Sequence, residues 1–144
     1  MSTLPVDGKA RKEYPVGDGC IAYFPAAIAG VARHSYIAGA KYNKGGLVHN
    51  RWMSNDHSNC IERHLIDLRD LQAARARGVT EVEVLMYNFS TEKEEAIMVP
   101  IEEAILIEAN ALSWRALAHT QILHEQLGGA PLAPAARAKA GDTA

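Results

Sequence analysis

The spacing of hydrophobic positions along the chain predicts three long helices. The first, residues 25–42, is rich in alanine and isoleucine and begins with a proline, which suits the first turn of a helix. The second, residues 55–77, is amphipathic and is followed by Gly78, a residue typical of helix ends. The third, residues 100–127, has apolar positions on nearly all sides, so we expect it to be buried on more than one side.

Between the second and third helices, hydrophobic and polar residues repeat with a different period. Residues 81–89 begin with alternating glutamate and valine, which is typical of a strand, and residues 96–99 are a candidate partner strand. Residues 91–98 are also compatible with a helix. The predicted fold is therefore mainly α, with three long packed helices and a small possible β-hairpin at about residues 81–99.

The two ends of the chain differ in composition from its middle. Residues 1–19 are polar and contain prolines and glycines, so we expect an extended N-terminal arm. Residues 130–144 are rich in alanine, proline and glycine, which favours a disordered tail. A single helical domain over residues 20–129 lies between them.

Composition and charge narrow the function classes. Of 144 residues, 48% are hydrophobic and 22% are charged, as in ordinary soluble proteins, and the net charge of −2 gives no basis for binding a nucleic acid polymer. Two cysteines make neither a disulfide framework nor a spaced metal pair. The sequence shows no signal peptide and no apolar run near 18 residues, so we expect a cytoplasmic protein that does not enter a membrane.

Titratable side chains are most concentrated in residues 56–67, which contain two histidines, three acids and an arginine. At helical spacing His57, His64 and Asp67 share one largely apolar face, where titratable groups are costly unless paired or bound to metal. His64 and Asp67 are three residues apart, so they can bind one ion or each other. A purely structural histidine–aspartate hydrogen bond is the alternative. Glu62 points the opposite way, toward solvent, and Arg63 lies on the flank, where it can pair with an acid or reach a phosphate.

Two further groups stand out by position. Glu108 lies on the apolar stripe of the third helix that also carries Arg115 and His119, so it needs a partner. A metal ion or His64 from the facing helix suits that role, and a structural salt bridge is the alternative. Lys41, at the end of the first helix beside a glycine-rich loop, is either an anion ligand or an ordinary solvated lysine.

Residues 23–125 resemble a known family. The segments that carry the resemblance are Pro25-Ala-Ala-Ile, Gly39-Ala-Lys-Tyr42, Asp56-His57 leading to Arg63-His-Leu-Ile-Asp67, and Ala109 to Ser113-Trp-Arg-Ala-Leu-Ala118. They are similar to phage-encoded dATP/dGTP diphosphohydrolase-type (MazZ-like) proteins, relatives of the MazG-like all-α nucleoside triphosphate pyrophosphohydrolases. The resemblance implies cleavage of a (deoxy)nucleoside triphosphate to the monophosphate and pyrophosphate, with Mg²⁺ or Mn²⁺ held by carboxylates, in a homo-oligomer, either a dimer or a tetramer.

The positions of the acidic residues in this chain differ from the MazG-like pattern. That superfamily carries a Glu-Glu-x-x-Glu cluster on one helix and Glu-x-x-Asp on the next, whereas the first helix here has no acid and the second offers His64-x-x-Asp67. The metal ligands would then be His57, His64, Asp67 and Glu108. Such a mixed set also admits Zn²⁺, Fe²⁺ or Ni²⁺.

These observations assign roles to a set of candidate residues. We expect His64, Asp67 and Glu108 to be catalytic, and the substrate-binding candidates are Lys41, Tyr42, Asn43, His49, Asn50, Trp52, Arg63 and Arg115. The cationic members would neutralise phosphate charge, and the others would line the base and sugar pocket. Two alternatives stay open: a catalytically degenerate helical module that binds a nucleotide or a partner, and a helical assembly protein.

Overall fold

The computed structural model describes residues 2–40 and 56–135, which are mainly helical with one small sheet. The elements in chain order are α1 (Gly8–Arg11), a π-helical turn (Gly17–Ile21), α2 (Pro25–Ala40), α3 (His57–Ala76), β1 (Glu81–Asn88), β2 (Lys93–Pro100) and α4 (Ile101–Leu127). The mainly α fold class with a β-hairpin is confirmed.

Helix α4 is the centre of the structure, because both α2 and α3 pack against it. Among residues 2–40 and 56–135 five apolar residues are buried, and most of them lie on α4 or just before it: Ala40, Val99, Ile101, Ala104 and Ala111. Ile101 is only 1% exposed, and its backbone N–H donates to the carbonyl oxygen of Thr80 at 2.9 Å. This bond ties the start of α4 to the residue before β1.

Strands β1 and β2 form an antiparallel hairpin whose register runs from Glu81 opposite Pro100 to Asn88 opposite Lys93. The Asn88 side-chain oxygen closes the turn by accepting hydrogen bonds from the backbone N–H groups of Ser90 and Thr91, at 2.8 and 3.3 Å. Residues 91–98 are thus not helical, and the return strand begins earlier than the predicted residue 96. Pro100 is both the last residue of β2 and the N-cap residue of α4, so the helix begins one residue after the predicted start.

Gly30 allows α2 to approach α4 closely. A β-carbon at this position would lie 2.4 Å from Oδ1 of Asn110 and 2.9 Å from both Cγ and Nδ2. The whole amide group therefore occupies the space that any larger residue would need. Only glycine fits here unless Asn110 moves.

We expect Gly30→Ala to lower the free energy of unfolding by about 1 kcal/mol, because the clash outweighs the better helix propensity of alanine. In an Asn110→Ala background the same substitution should instead stabilise the protein, by up to about 1 kcal/mol. Urea denaturation of the four proteins measures both effects. A Gly30→Ala effect of the same sign and size in both backgrounds would contradict the close approach.

Both predicted terminal segments need correction. Residues 1–19 are not simply extended, because the Asp7 side chain accepts a hydrogen bond from the Ala10 N–H at 2.8 Å and caps α1. The predicted disordered tail is wrong for its first residues. Ala133 N–H donates to Glu125 Oε2 at 3.0 Å, and Ala130 N–H donates to the His124 carbonyl at 3.1 Å. Residues 136–144 lie outside the described residues.

Candidate functional site at the interface of α3 and α4

His64 and Glu108 meet across the interface between α3 and α4. His64 Nδ1 lies 2.5 Å from Glu108 Oε1, and their side chains are 29% and 20% exposed. Of the partners considered for Glu108, the structure provides His64. When the imidazole is neutral and Nδ1 donates to the carboxylate, Nε2 is the proton acceptor. Because the pair is only partly buried, a small solute or water can reach the ring.

His57 lies in a second cluster farther along the same interface. It is only 4% exposed, which confirms that it faces the interior. Arg115 Nη1 lies 3.3 Å from His57 Nδ1, and the ring of His119 lies 5.7 Å from that of His57 at an angle of 30°. Because a guanidinium group can only donate, Nδ1 of His57 is an acceptor here. His119 Nδ1 is buried and has no hydrogen-bond partner among the residues that the structure describes.

Asp67 does not join these residues. It is exposed, and within residues 2–40 and 56–135 it makes no hydrogen bond or ion pair. The prediction that it points toward the interior beside His64 is therefore wrong. The reason is geometric: among the described elements α3 packs only on α4, so its buried face is narrower than the apolar stripe that the helical period indicated.

Arg63 is paired with an acid, one of the two roles considered for it. Its Nη2 lies 3.2 Å from Asp56 Oδ2, and the Asn59 side chain donates to Asp56 Oδ1 at 2.6 Å. The hydrogen bonds from Asn59 and Arg63 hold the pKa of the Asp56 carboxyl below its ordinary value. This arrangement stays exposed to solvent, as does Glu62, whose solvent-facing position is confirmed.

The predicted metal ligands do not converge. Among residues 2–40 and 56–135, no group of three or more histidine, cysteine, aspartate or glutamate side chains is placed to hold an ion. His64 and Glu108 bond each other, His57 faces the cation of Arg115, and Asp67 lies apart. These residues therefore do not fit the predicted metal site. The remaining substrate-binding candidates lie outside the described residues: Lys41, Tyr42, Asn43, His49, Asn50 and Trp52.

One aromatic cluster was not predicted. The rings of Tyr36 and Phe89 stack with centroids 5.2 Å apart, and Tyr87 meets Phe89 edge-on at 5.1 Å. The Arg33 guanidinium lies 5.5 Å from the Tyr36 ring. The cluster fastens the turn of the hairpin to α2. No signal in the sequence could have found it, because its members lie in different elements far apart along the chain.

Comparison with known proteins finds no matching family model, no matching curated protein and no matching solved structure. The family resemblance of residues 23–125 therefore stays a prediction. Within the described part of the chain, no helix has the length and apolar character needed to cross a membrane.

Proposed function

We propose that this protein is a nucleotide phosphohydrolase that cleaves a (deoxy)nucleoside triphosphate to the monophosphate and pyrophosphate. The observation that carries the proposal is the His64–Glu108 pair, a partly exposed histidine held by a carboxylate across a helix interface. A histidine oriented in this way is suited to general-base catalysis. The substrate class rests on the resemblance to the MazZ-like and MazG-like enzymes.

In the proposed reaction Glu108 accepts a hydrogen bond from the Nδ1–H group of His64 and so orients the ring, while Nε2 takes a proton from a water molecule. The water oxygen forms a bond to the α-phosphorus, and the bond from that phosphorus to the bridging oxygen breaks. The electron pair of the broken bond leaves with pyrophosphate. Glu108 also stabilises the imidazolium that forms, and the proton on Nε2 returns to the products or to solvent.

Arg115 is the described cation best placed to bind the phosphates. It lies seven residues after Glu108, two turns along the same face of α4. Its guanidinium contacts His57 at 3.3 Å, and its Cζ lies 5.8 Å from the centroid of the Trp114 ring. A guanidinium has five N–H donors, so one bond to His57 leaves others for phosphate oxygens. Lys41 and Arg63 remain proposed as additional phosphate ligands.

A divalent ion stays part of the proposal as a companion of the triphosphate. Mg²⁺ is commonly bound through substrate phosphates and only one or two carboxylates, which needs no full set of protein ligands. We assign it no step. Activity that requires Mg²⁺ or Mn²⁺ and is abolished by EDTA would support this requirement, and equal activity in EDTA would contradict it.

A second candidate function is a catalytically degenerate module that binds a nucleotide or a partner. Two observations favour it: α2 carries no acidic residue, and Asp67 faces solvent. Such a module would bind a nucleotide without releasing pyrophosphate, or would bind a partner and no nucleotide.

The experiment that separates these functions is a screen of the common deoxynucleoside and nucleoside triphosphates with Mg²⁺, Mn²⁺ or EDTA. Release of pyrophosphate and orthophosphate is measured separately, and nucleotide binding is measured by calorimetry. We expect pyrophosphate release for at least one nucleotide. Binding without release would favour a degenerate module that binds a nucleotide. Neither binding nor release would contradict both hydrolysis and nucleotide binding, and would leave the module that binds a partner.

Asp67→Asn tests whether the exposed carboxylate takes part. Because Asp67 is exposed and makes no hydrogen bond or ion pair with the other described residues, we expect pyrophosphate release to change by no more than about twofold, the size of an ordinary surface substitution. Steady-state kinetics across a range of Mn²⁺ concentrations checks this. A large loss that excess Mn²⁺ restores would instead identify Asp67 as a metal ligand.

A further inference from the structure

The N-terminal arm, residues 2–24, is folded but packs on little of the described chain, where its π-helical turn contacts α2. It contains α1 and the π-helical turn, yet none of its residues is buried. Six of its large apolar side chains are 51–89% exposed: Val6, Tyr14, Val16, Ile21, Tyr23 and Phe24. Ordering a chain costs conformational entropy that apolar burial normally offsets. The arm therefore has the composition of a segment that packs against another protein surface.

A second apolar surface lies on the outer face of the hairpin. Leu85 is 70% exposed and Met98 is 60% exposed, and their cross-strand partners are Ala96 and Glu83. Side chains alternate between the two faces of a strand, so Glu81 lies on this outer face as well. The outer face thus has an apolar centre with two carboxylates at one end.

The arm has no net charge over residues 2–24, but its two lysines, Lys9 and Lys12, are opposite in charge to the carboxylates of this face. Lys9 and Lys12 are three residues apart, at the end of α1, and Glu81 and Glu83 are two apart on β1, so both pairs are spaced by roughly 5–7 Å. None of the four has an ion pair with another described residue. Residues 81–103 contain seven glutamates and one lysine, a net charge of −6 against −2 for the whole chain.

We propose that the arm of one copy of this chain docks on the outer face of the hairpin of a second copy, and the reverse, to form a two-fold symmetric dimer. Within its own chain the π-helical turn contacts α2, and no element of the arm contacts the hairpin among the described residues. A two-fold axis repeats the same contact twice, as in most homodimers. The arm also has the size of one side of a standard interface, roughly 20–30 residues.

The test is a charge exchange on the full chain, read by sedimentation equilibrium. We expect the wild type to be a dimer. One double variant carries Lys9→Glu and Lys12→Glu in the arm, and the other carries Glu81→Lys and Glu83→Lys in the hairpin. Each should raise the dissociation constant by about tenfold or more, because it places like charges together. Mixing the two variants should restore a dimer, since each acidic arm then meets a basic hairpin and each basic arm meets an acidic hairpin. The quadruple variant should dimerise by itself.

The matched control is Glu62→Lys with Asp70→Lys, an equal charge change at two exposed positions on α3, which should leave the dissociation constant unchanged. Far-ultraviolet circular dichroism confirms that each variant is folded. A wild type that is monomeric at every concentration, variants that dimerise like the wild type, or mixed variants that stay monomeric would each overturn the proposal. The measurement uses no substrate, so its failure leaves the proposed hydrolysis unaffected.

Discussion

Replacing His64 with glutamine is expected to lower the rate of pyrophosphate release by about 10²- to 10⁴-fold, the range that a general base contributes. Glutamine keeps a side-chain amide that can donate to Glu108, so the interface of α3 and α4 should stay intact. It has no group that takes a proton from water. The rate constant at saturating nucleotide, kcat, should carry the loss while KM changes little, because the imidazole acts in the transition state more than in binding.

Glu108→Gln is the companion to this substitution and tests positioning. Its amide occupies the place of the carboxylate without its charge, so it no longer stabilises the imidazolium, and kcat should fall by a smaller factor than in His64→Gln. The double variant should be no slower than His64→Gln alone, because the two residues act as one unit. Losses that multiply in the double variant would contradict the joint action of His64 and Glu108.

Replacing Ile101 with alanine is expected to lower the free energy of unfolding by roughly 2–4 kcal/mol, within the range for large-to-small changes in a core. Ile101 is the most completely buried large side chain among the described residues, at 1% exposure. It lies where β2 passes into α4, and its N–H is bonded to Thr80. A cavity there would loosen the hairpin and the helix together. Urea denaturation followed by circular dichroism measures the loss.

The control for that experiment is Leu106→Ala on the same helix. Leu106 is 62% exposed, so its truncation should change stability by no more than about 0.5 kcal/mol. Both substitutions place alanine in α4, so helix propensity contributes little to the difference between them. Equal losses in the two variants would contradict the burial pattern of α4.

Much of the fold could be predicted because its signals are local. Alternation of glutamate and valine identifies β1, and Gly78, at a positive φ of 96°, marks the end of α3. The ends of the chain were harder, because proline and glycine content does not reveal side-chain hydrogen bonds such as that from Ala10 to Asp7. Those bonds give the arm structure that composition alone does not suggest.

The site could be predicted only in part, for a related reason. Helical phase on two separate helices correctly identified the facing pair, His64 and Glu108. It failed for Asp67 because the width of a buried face depends on how many neighbours a helix has, and within residues 2–40 and 56–135 the only element that α3 contacts is α4. Phase also gives no information on contacts between distant elements, such as the stacking of Tyr36 on Phe89.

The central claim is that a water molecule activated at His64 attacks the α-phosphorus of a nucleoside triphosphate. Hydrolysis in isotopically labelled water, with both products analysed by mass spectrometry, tests it most directly. Heavy oxygen should appear in the nucleoside monophosphate and be absent from pyrophosphate in the wild type, and the rate of its incorporation should collapse in His64→Gln. Label in pyrophosphate, or incorporation that is undiminished in His64→Gln, would contradict the account.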